Sequence, residues 1–289
     1  MTTQTLTSPT PNRRAPSRPT PSTPATPVRG AFAGVTDALV LARRTVVKML
    51  RNPEQFLDVS LQPVIMTVIF VYIFGGAVAG DTGSYLQFVL PGIIVQTIMF
   101  TSMTIGVNLN TDIQKGVFDR FRSLPIARSA PLLGAVAGDI VRHLIAIGVS
   151  LTFGVIIGFR FETPWYSVGL AILMMIVFAV SLCWTSVFIG MLARSSGAVQ
   201  GLSFLIVFPL TFGSSTYVPA STLPGWLQGW VGINPVTHVI DAMRGLLLGQ
   251  SAMPAGTTLG GELLWVLGSC VVLVGVFFPL AMWAYRRKI

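Results

Sequence analysis

The stretch TGSYLQFVLPGIIVQTIMFTSMTIGVNLNT, residues 82–111, decides the fold class because it holds 30 consecutive residues without a charged side chain. About 20 predominantly apolar residues in a helix cross the hydrocarbon core of a lipid bilayer. Residues 86–110 are therefore predicted to form a transmembrane helix.

The composition of the whole chain agrees with that prediction. Of the 289 residues, 52% are hydrophobic and only 10% are charged, whereas an average soluble domain carries about 25% charged residues. Uncharged stretches of this length also argue against a transmembrane β-barrel, whose strands alternate apolar and polar residues over about ten positions. The chain is predicted to be an all-α integral membrane protein.

Gaps between charged residues place five further transmembrane helices, which together with the first make a six-helix domain over residues 57–289. The third helix begins near Leu132 and carries Asp139 and Arg142 in its first turns. These two are expected to pair because they lie three positions apart. The other four helices are predicted at 59–79, 165–192, 199–218 and 263–284.

The region before the first span differs in composition. Residues 1–30 are rich in Pro, Thr and Ser, and are predicted to be a disordered cytoplasmic tail because no apolar core can form there. Residues 31–56 contain an amphipathic pattern, with Val35, Leu39 and Val46 on one face and basic residues on another. A basic amphipathic helix is predicted to lie in the headgroup plane; the alternative is a solvated helix packed on its own protein.

Basic residues are distributed unevenly between the two sides of the predicted membrane domain. Sixteen of the 19 Lys and Arg residues fall on the side that holds both termini, and only Arg160 and Arg244 fall on the other. Basic residues concentrate on the cytoplasmic side of membrane proteins. Both termini are therefore predicted to be cytoplasmic, and the net charge of +9 requires no nucleic-acid partner.

The cytoplasmic loop between the second and third spans is longer than a simple connection needs. Residues 112–124 are predicted to form an amphipathic helix with exposed Phe118 and Phe121. Such a helix can dock on a soluble partner; the alternative is an interfacial helix that only caps the bundle. The element comprises Lys115, Gly116, Val117, Phe118, Asp119, Arg120, Phe121, Arg122, Leu124 and Pro125.

A polar stripe follows the second span at helical spacing. It consists of Thr97, Thr101, Thr104 and Asn108. Polar side chains in a span face protein or a pathway rather than lipid. The stripe predicts either hydrogen bonds between helices or the lining of a translocation pathway.

Residues 219–249 are too broken to span the membrane and too apolar to be an open loop. Two short helices are predicted, at 224–232 and 235–248, because Asn234 is a good N-cap and Pro235 suits the first helical position. They are predicted to form a re-entrant or interfacial hairpin between the fifth and sixth spans. The residues singled out are Trp226, Trp230, Asn234, Pro235, Asp241 and Arg244.

Several kinds of site are missing from the sequence. It has no Gly-x-x-x-x-Gly-Lys-Ser/Thr motif, so the chain is not expected to bind ATP as a P-loop protein. It has no Ser/His/Asp or His-Glu-x-x-His set and no His/Cys ligand spacing, so neither catalysis nor a metal site is predicted. The mid-span acids of a proton-coupled carrier are also missing.

Three segments in this order resemble the ABC-2 type permeases, and in particular the daunorubicin-resistance-type membrane subunits of actinobacterial exporters. They are RNPEQF at 51–56, KGVFDRFRSLPIARSAPLLG at 115–134 and LPGWLQGWVGINPVTHVIDAMRGLLLG at 223–249. The resemblance covers roughly residues 33–285.

The resemblance implies the permease half of an ATP-driven exporter in a bacterial cell membrane. Two copies, or one copy and a paralogue, would pair with two separate P-loop ATPase subunits, which would bind the ATP and Mg²⁺. The 112–124 helix would be the coupling helix in the ATPase groove, and the hairpin after the fifth span would shape the outer gate. The alternative function is a secondary transporter or channel that no ATPase drives.

The cargo is left open by the sequence. Antibiotics, glycolipids and polysaccharides all use this architecture, and the apolar helix faces favour an amphiphilic small molecule or a lipid. The role of the 1–30 tail and the choice between a homodimer and a heterodimer are also left open.

The predicted topology can be tested by labelling single cysteines with a membrane-impermeant reagent. We expect labelling from outside at positions 81 and 160, because these lie on the side poor in basic residues. Labelling from outside at position 120 or 288 would contradict the model.

Overall fold

A computed structural model describes residues 53–118 and 130–288, together with the isolated positions 40, 43, 46 and 47. Within the two long segments the chain forms eight α-helices and no strand. Two short 3₁₀ turns, Ala220–Thr222 and Gln250–Ala252, lie in the connections. The helices are α1 (Pro53–Ala79), α2 (Thr82–Gln114), α3 (Ala130–Ile156), α4 (Trp165–Leu192), α5 (Ser196–Phe212), α6 (Gly225–Ile233), α7 (Pro235–Leu248) and α8 (Leu259–Lys288).

Five of these helices, α1, α2, α3, α4 and α8, are long and apolar enough to cross a membrane. The all-helical membrane architecture is therefore confirmed, and α4 has the predicted bounds. Helix α1 begins at Pro53, so residues 53–56 belong to it rather than to the predicted interfacial helix. The tail at 1–30 and most of the 31–56 helix lie outside the described residues, although positions 40, 43, 46 and 47 are helical.

The predicted fifth span, 199–218, is wrong in its last six residues. Helix α5 has 17 residues and ends at Phe212, and residues 213–218 are not helical. Hydroxyl groups compete with the helix here: Ser214 Oγ donates to the Thr211 carbonyl oxygen and lies 2.7 Å from Thr216 Oγ1. Such bonds to nearby backbone favour turns over helix. A sixth span through α5 stays a prediction.

Helix α2 is the centre of the bundle. It is buried along most of its length and packs against α1, α3, α4, α5 and α7. A helix that is apolar on all sides is expected in such a position. The carboxylate of Asp81 caps its start by accepting a bond of 2.8 Å from the Ser84 amide, and hydrogen bonding by Ser84 holds the pKa of Asp81 below its usual range.

Helices α2 and α4 touch backbone to backbone at two glycines. A Cβ atom on Gly106 would lie 2.3 Å from the Ser186 carbonyl oxygen, and one on Gly190 would lie 2.6 Å from the Gly106 carbonyl oxygen. Small residues allow this close approach between membrane helices. The crossing therefore depends on the absence of side chains at both positions.

The bundle has two chemically different ends. At the basic end, α2, α4 and α8 finish near Lys115, Arg194 and Arg286. A buried cluster from α2, α3, α4 and α8 fills that end. At the hairpin end, the same three helices begin, and α7 inserts into a second and larger buried cluster with α2 and α4.

Substitution of Gly190 by Ala should loosen the α2–α4 crossing, because the new methyl group would overlap the Gly106 backbone. Overpacking of this kind costs about 1–3 kcal/mol. We expect a lower melting temperature for the purified protein in detergent. Gly169 on the same helix is the matched control because an added Cβ there meets nothing within 4 Å; equal melting temperatures of the two alanine variants would contradict the packing argument.

Candidate functional site

The predicted helix at 112–124 starts later in the structure. Asp112, Ile113 and Gln114 continue α2, a turn follows at Lys115 and Gly116, and Val117 and Phe118 are helical again. Gly116 has a φ of 67°, a left-handed conformation that glycine adopts without strain and that commonly ends helices. The start of the predicted element at residue 112 is therefore wrong. Residues 119–129, with Asp119, Arg120, Phe121, Arg122, Leu124 and Pro125, lie outside the described residues.

The expectation that Phe118 is exposed is also wrong. Its side chain is only 6% exposed and belongs to the buried cluster at the basic end. The ring meets that of Tyr285 edge to face, with centroids 5.8 Å apart, and aromatic pairs in this geometry attract each other beyond their buried area. Phe118 thus anchors the segment after α2 to the last turns of α8.

Two amides at the end of α2 hold the end of α4. Asn110 Nδ2 donates to the carbonyl oxygens of Gly190 and Ala193, both at 2.9 Å. Gln114 Nε2 donates to Asn110 Oδ1 at 3.0 Å and to the Arg194 carbonyl oxygen at 3.1 Å. The last carbonyls of a helix have no partner within it, so this amide pair satisfies them. Sequence analysis missed Asn110; its signal is the i,i+4 spacing to Gln114.

The expected ion pair in the third span is confirmed, and it is part of a larger buried cluster. Arg142 Nη1 lies 3.3 Å from Asp139 Oδ1. His143 Nδ1 donates to the Asp139 carbonyl oxygen at 2.8 Å, and its Nε2 lies 2.9 Å from Ser102 Oγ on α2. The Cys183 thiol on α4 lies 3.8 Å from Asp139 Oδ2. The cluster therefore joins α2, α3 and α4.

This cluster also contains three metal-ligand types. The ligand atoms of Asp139, His143 and Cys183 lie within 4.8 Å of one another, although the sequence shows no metal-ligand spacing. The Arg142 guanidinium already supplies the positive charge that a metal ion would bring to the carboxylate, and both imidazole nitrogens already have hydrogen-bond partners. The arrangement fits a polar contact between helices.

The polar stripe on α2 divides into two halves. Thr97 and Thr101 are buried, and Thr97 Oγ1 donates to the Ile93 carbonyl oxygen of its own helix at 2.8 Å. Thr104 and Asn108 are half-buried. The half nearer the basic end is thus the more exposed of the two.

The hairpin forms where it was predicted, with helix bounds that agree within one residue. Helix α6 is mostly exposed and carries Trp226 and Trp230 on its outside, whereas α7 is buried on nearly all sides. As predicted, Asn234 caps α7: its Oδ1 accepts from the Val236 amide at 3.0 Å, and Pro235 follows at the first helical position.

Asn234 also serves a second helix. Its Nδ2 donates to the carbonyl oxygens of Leu210 and Gly213, both at 2.8 Å. These carbonyls belong to the end of α5, where the helix no longer supplies donors. One side chain thus ends α5 and starts α7.

Arg244 joins α7 to two other parts of the bundle. Its Nη1 donates to Asp241 Oδ1 at 2.8 Å and to Ser215 Oγ at 3.1 Å, and its Nη2 donates to the Ser215 carbonyl oxygen at 2.7 Å. Its Nε and Nη2 lie 3.3 Å from the Phe88 carbonyl oxygen on α2, and the guanidinium carbon lies 3.9 Å from the centre of the Phe88 ring. The structure therefore brings together Asp241 and Arg244 as a buried, hydrogen-bonded pair.

A further contact, which the sequence did not reveal, ties α7 to α8. His238 Nδ1 lies 2.7 Å from Glu262 Oε2, and the imidazole stacks on the Trp265 ring with centroids 4.7 Å apart. With Arg244, this pair fixes α7 between the first turns of α2 and α8.

Comparison with known proteins identifies the family. Residues 36–248 match the family model of the ABC-2 type transporters. The chain belongs to the ABC-2 type transporter family. The matched region includes residues 51–56, the segment after α2 and the whole α6–α7 hairpin, which are the three segments that carry the resemblance in sequence.

Several relatives are permease subunits of drug-resistance transporters. The daunorubicin resistance ABC transporter permease protein DrrB1 of Streptomyces coeruleorubidus is 39% identical over 249 residues, which cover 85% of this chain and 84% of the relative. The doxorubicin resistance ABC transporter permease protein DrrB of Mycobacterium tuberculosis is 29% identical over 216 residues, 72% of this chain and 74% of the relative. The inner membrane transport permease YadH of Escherichia coli is 24% identical over 210 residues, 68% of this chain and 78% of the relative.

These findings, with the five long apolar helices, establish a multi-pass membrane protein of a bacterial membrane and a subunit of an ABC transporter system. The resemblance seen in the sequence is confirmed.

Variants of Asn234 separate its two roles. Asn234→Ala removes the N-cap of α7, worth about 1 kcal/mol, and orphans the Leu210 and Gly213 carbonyls, at about 1–3 kcal/mol. Asn234→Ser restores an N-cap acceptor but not the amide donors. We expect melting temperatures in the order wild type, Ser variant, Ala variant.

The matched control for this series is Gln228→Ala, which removes an exposed amide bond to the Leu223 carbonyl oxygen within the same hairpin. It should leave the melting temperature unchanged. A Ser variant as stable as the wild type would show that the bonds to the end of α5 contribute nothing.

Proposed function

We propose that this permease exports an amphiphilic small molecule, of the antibiotic or drug-like class, out across the cytoplasmic membrane, driven by a separate ATPase. The observation that carries the proposal is the anchored segment Lys115–Phe118 at the basic end, in a chain of the ABC-2 family. The relatives' names refer to daunorubicin and doxorubicin resistance, and this class of substrate is carried over as part of the proposal. A lipid is the other amphiphile that fits.

The orientation proposed from sequence has both termini in the cytoplasm. Lys115, Arg194, Arg286 and Arg287 lie at the same end of the described bundle, and one-sided basic charge favours the cytoplasmic side. The guanidinium of Arg287 lies 4.1 Å from the centre of the Trp283 ring, a pairing suited to the membrane interface, where Trp is enriched. The segment after α2 then faces the cytoplasm.

The ATPase would dock on the segment that Phe118 anchors. Phe121, Arg122, Leu124 and Pro125 are the proposed contact residues, and two permease copies or paralogues would face two ATPase subunits. ATP and Mg²⁺ would be bound by those subunits, since the chain carries no P-loop motif. Phe118 itself would hold the docked segment against the bundle. Through its contact with Tyr285 it would transmit force from that segment to α8.

A mechanical path from docking to export runs through α2. The helix has 33 residues, which is about 50 Å at 1.5 Å per residue. Its basic end is tied to α4 by Asn110, and its hairpin end is tied to α7 by the bonds from Arg244 to Phe88. Closure of the ATPases would favour one of two bundle conformations by differential binding, and a shift of α2 would reach the hairpin, which we assign as the outer gate.

Three variants test the separate docking and anchoring roles in a complex with the cognate ATPase. Phe121→Ala with Arg122→Ala should strip the ATPase from the purified complex, since loss of about 1.4 kcal/mol lowers affinity tenfold. Phe118→Ala should retain the ATPase but uncouple ATP hydrolysis from export, because its ring packs on the bundle. Trp165→Ala, exposed at the start of α4 and outside the hairpin, is the control and should keep both.

The measurements are ATPase stoichiometry after purification, ATP hydrolysis, and export into or out of vesicles. The permease alone should neither bind nor hydrolyse ATP. Transport of the same substrate by the isolated permease, with an ion gradient and no ATPase, would favour a secondary transporter instead.

A further inference from the structure

His238 on α7 lies against two side chains of α8 at the hairpin end. Its Nδ1 lies 2.7 Å from Glu262 Oε2, and its ring is stacked on the Trp265 ring, with the two planes inclined by only 3°. The polar side chains are nearly buried, at 12% exposed for His238 and 8% for Glu262. We call these three residues, His238, Glu262 and Trp265, the hairpin latch.

The imidazole of His238 has an open position for a second proton. Because a carboxylate only accepts hydrogen bonds, Nδ1 carries the hydrogen that bonds to Glu262. The Nε2 atom has no hydrogen-bond partner among the described residues, so a proton taken up there breaks no existing contact. His143, the other histidine of the chain, differs because both of its ring nitrogens already have partners.

Two exposed tryptophans on α8 indicate the depth of the hairpin latch in the membrane. Trp265 and Trp283 are 59% and 46% exposed, and the residues between them cover about 27 Å at 1.5 Å per residue. This length is close to the hydrocarbon thickness of about 30 Å, and Trp is enriched at both of its boundaries. Glu262 precedes Trp265 by about one helical turn. The hairpin latch therefore lies at the membrane boundary of the hairpin end, which the proposed orientation turns to the outside.

The charges around the hairpin latch sum to a negative value while His238 is neutral. Glu262 and Asp241, which interact electrostatically, are acids, and Arg244 compensates only one of them through its pair with Asp241. A proton on His238 balances the remaining charge. The imidazolium then forms an ion pair with Glu262 and a cation–π contact with the Trp265 ring.

Other titratable residues lie on or beside the elements that pack against α7 at this end, and the imidazole is hydrogen-bonded to none of them. They are Asp81, Tyr85, Arg160, Glu162, Tyr166, Tyr217 and Cys270. Glu262 is thus the acid that senses the charge of His238 directly.

We propose that the hairpin latch responds to protons from the outer medium: a proton taken up at His238 Nε2 tightens the contact of α7 with α8 and slows export. The inference rests on the proposed function, in which the hairpin is the outer gate. His238 is a positioning residue, since it acts on the hairpin through Glu262 and Trp265.

The direction of the effect follows from the contacts. Protonation adds an ion pair and a cation–π contact, whereas the neutral ring keeps only its hydrogen bond to the carboxylate. The added stabilisation is therefore present at low pH and is lost as the pH rises. Histidine changes its charge between pH 5 and 8, so the response falls in that range.

The contact itself is tested on the full-length permease in lipid nanodiscs, without ATPase, by melting temperatures at pH 8 and pH 6. The variant His238→Gln can still donate to Glu262 but cannot take up a proton. We expect the wild type to gain about 2–4 °C over this variant between pH 8 and pH 6. In a Glu262→Gln background, which keeps a hydrogen-bond acceptor without the charge, most of that gain should be lost.

The matched control is His143→Gln, which removes the only other histidine of the chain. Because both nitrogens of that ring are already bonded, this variant should keep the full gain between pH 8 and pH 6, whatever its melting temperature.

The effect on export is tested with the permease and its cognate ATPase in proteoliposomes. ATP is added outside at pH 8, so that the lumen corresponds to the outer medium, and the lumen is set to pH 8 or pH 6. The probe is ethidium, a permanent cation whose charge is the same at both pH values, and its uptake is read with DNA enclosed in the lumen. We expect ATP-driven uptake to be about fivefold slower with the acidic lumen, equivalent to about 1 kcal/mol. With His238→Gln the two lumenal pH values should give the same rate.

Four outcomes overturn the proposal: a difference in melting temperature between wild type and His238→Gln that is equal at both pH values, a gain that persists undiminished in the Glu262→Gln background, loss of the gain in His143→Gln, or the same lumenal pH dependence of uptake with and without His238. The proposed function is judged separately. ATP-driven uptake that ignores lumenal pH refutes only the hairpin latch. A pH-dependent gain in melting temperature, with no ATP-driven uptake at either pH, refutes only the proposed function.

Discussion

Backbone carbonyl groups at the ends of helices must find donors inside this bundle, because lipid offers none. Two asparagines in the bundle meet that requirement. Asn110 serves the end of α4, and Asn234 serves the end of α5. Arg244 bonds to the Ser215 and Phe88 carbonyl oxygens. These side chains set where α4, α5 and α7 can lie relative to α2.

The same contacts give the bundle its mechanical connections. Helix α2 touches five other helices, and its two ends are fastened by side chains of different character. At the basic end the fastening is an amide pair and an aromatic cluster around Phe118. At the hairpin end the Arg244 guanidinium bonds to the Ser215 and Phe88 carbonyl oxygens and lies over the Phe88 ring. One continuous helix therefore connects the two ends of the bundle.

Burial of Phe118 gives this residue a structural role in the segment after α2. An exposed aromatic would contribute mainly to affinity for a partner, whereas the buried ring of Phe118 packs on Tyr285 of α8. The turn at Lys115–Gly116 separates Phe118 from the end of α2. Phe118 therefore has an anchoring role, and the proposed docking role is assigned to Phe121, three positions further along the chain.

The sequence by itself determined the membrane class, the bounds of α4 and α7 and the cap at Asn234, because bilayer thickness, charge exclusion and capping act on residues close together in the chain. The family followed from three ordered segments. Only the tertiary structure decided what depends on distant partners. Helix α5 stops at Phe212, where Asn234 donates to the Leu210 and Gly213 carbonyl oxygens. Phe118 is buried beside Tyr285, and Asn110 rather than Asn108 holds the end of α4. The aromatic rings of α1, α2 and the α5 region likewise meet only after folding. The periodicity within one helix carries no information about which face of another helix that helix will contact.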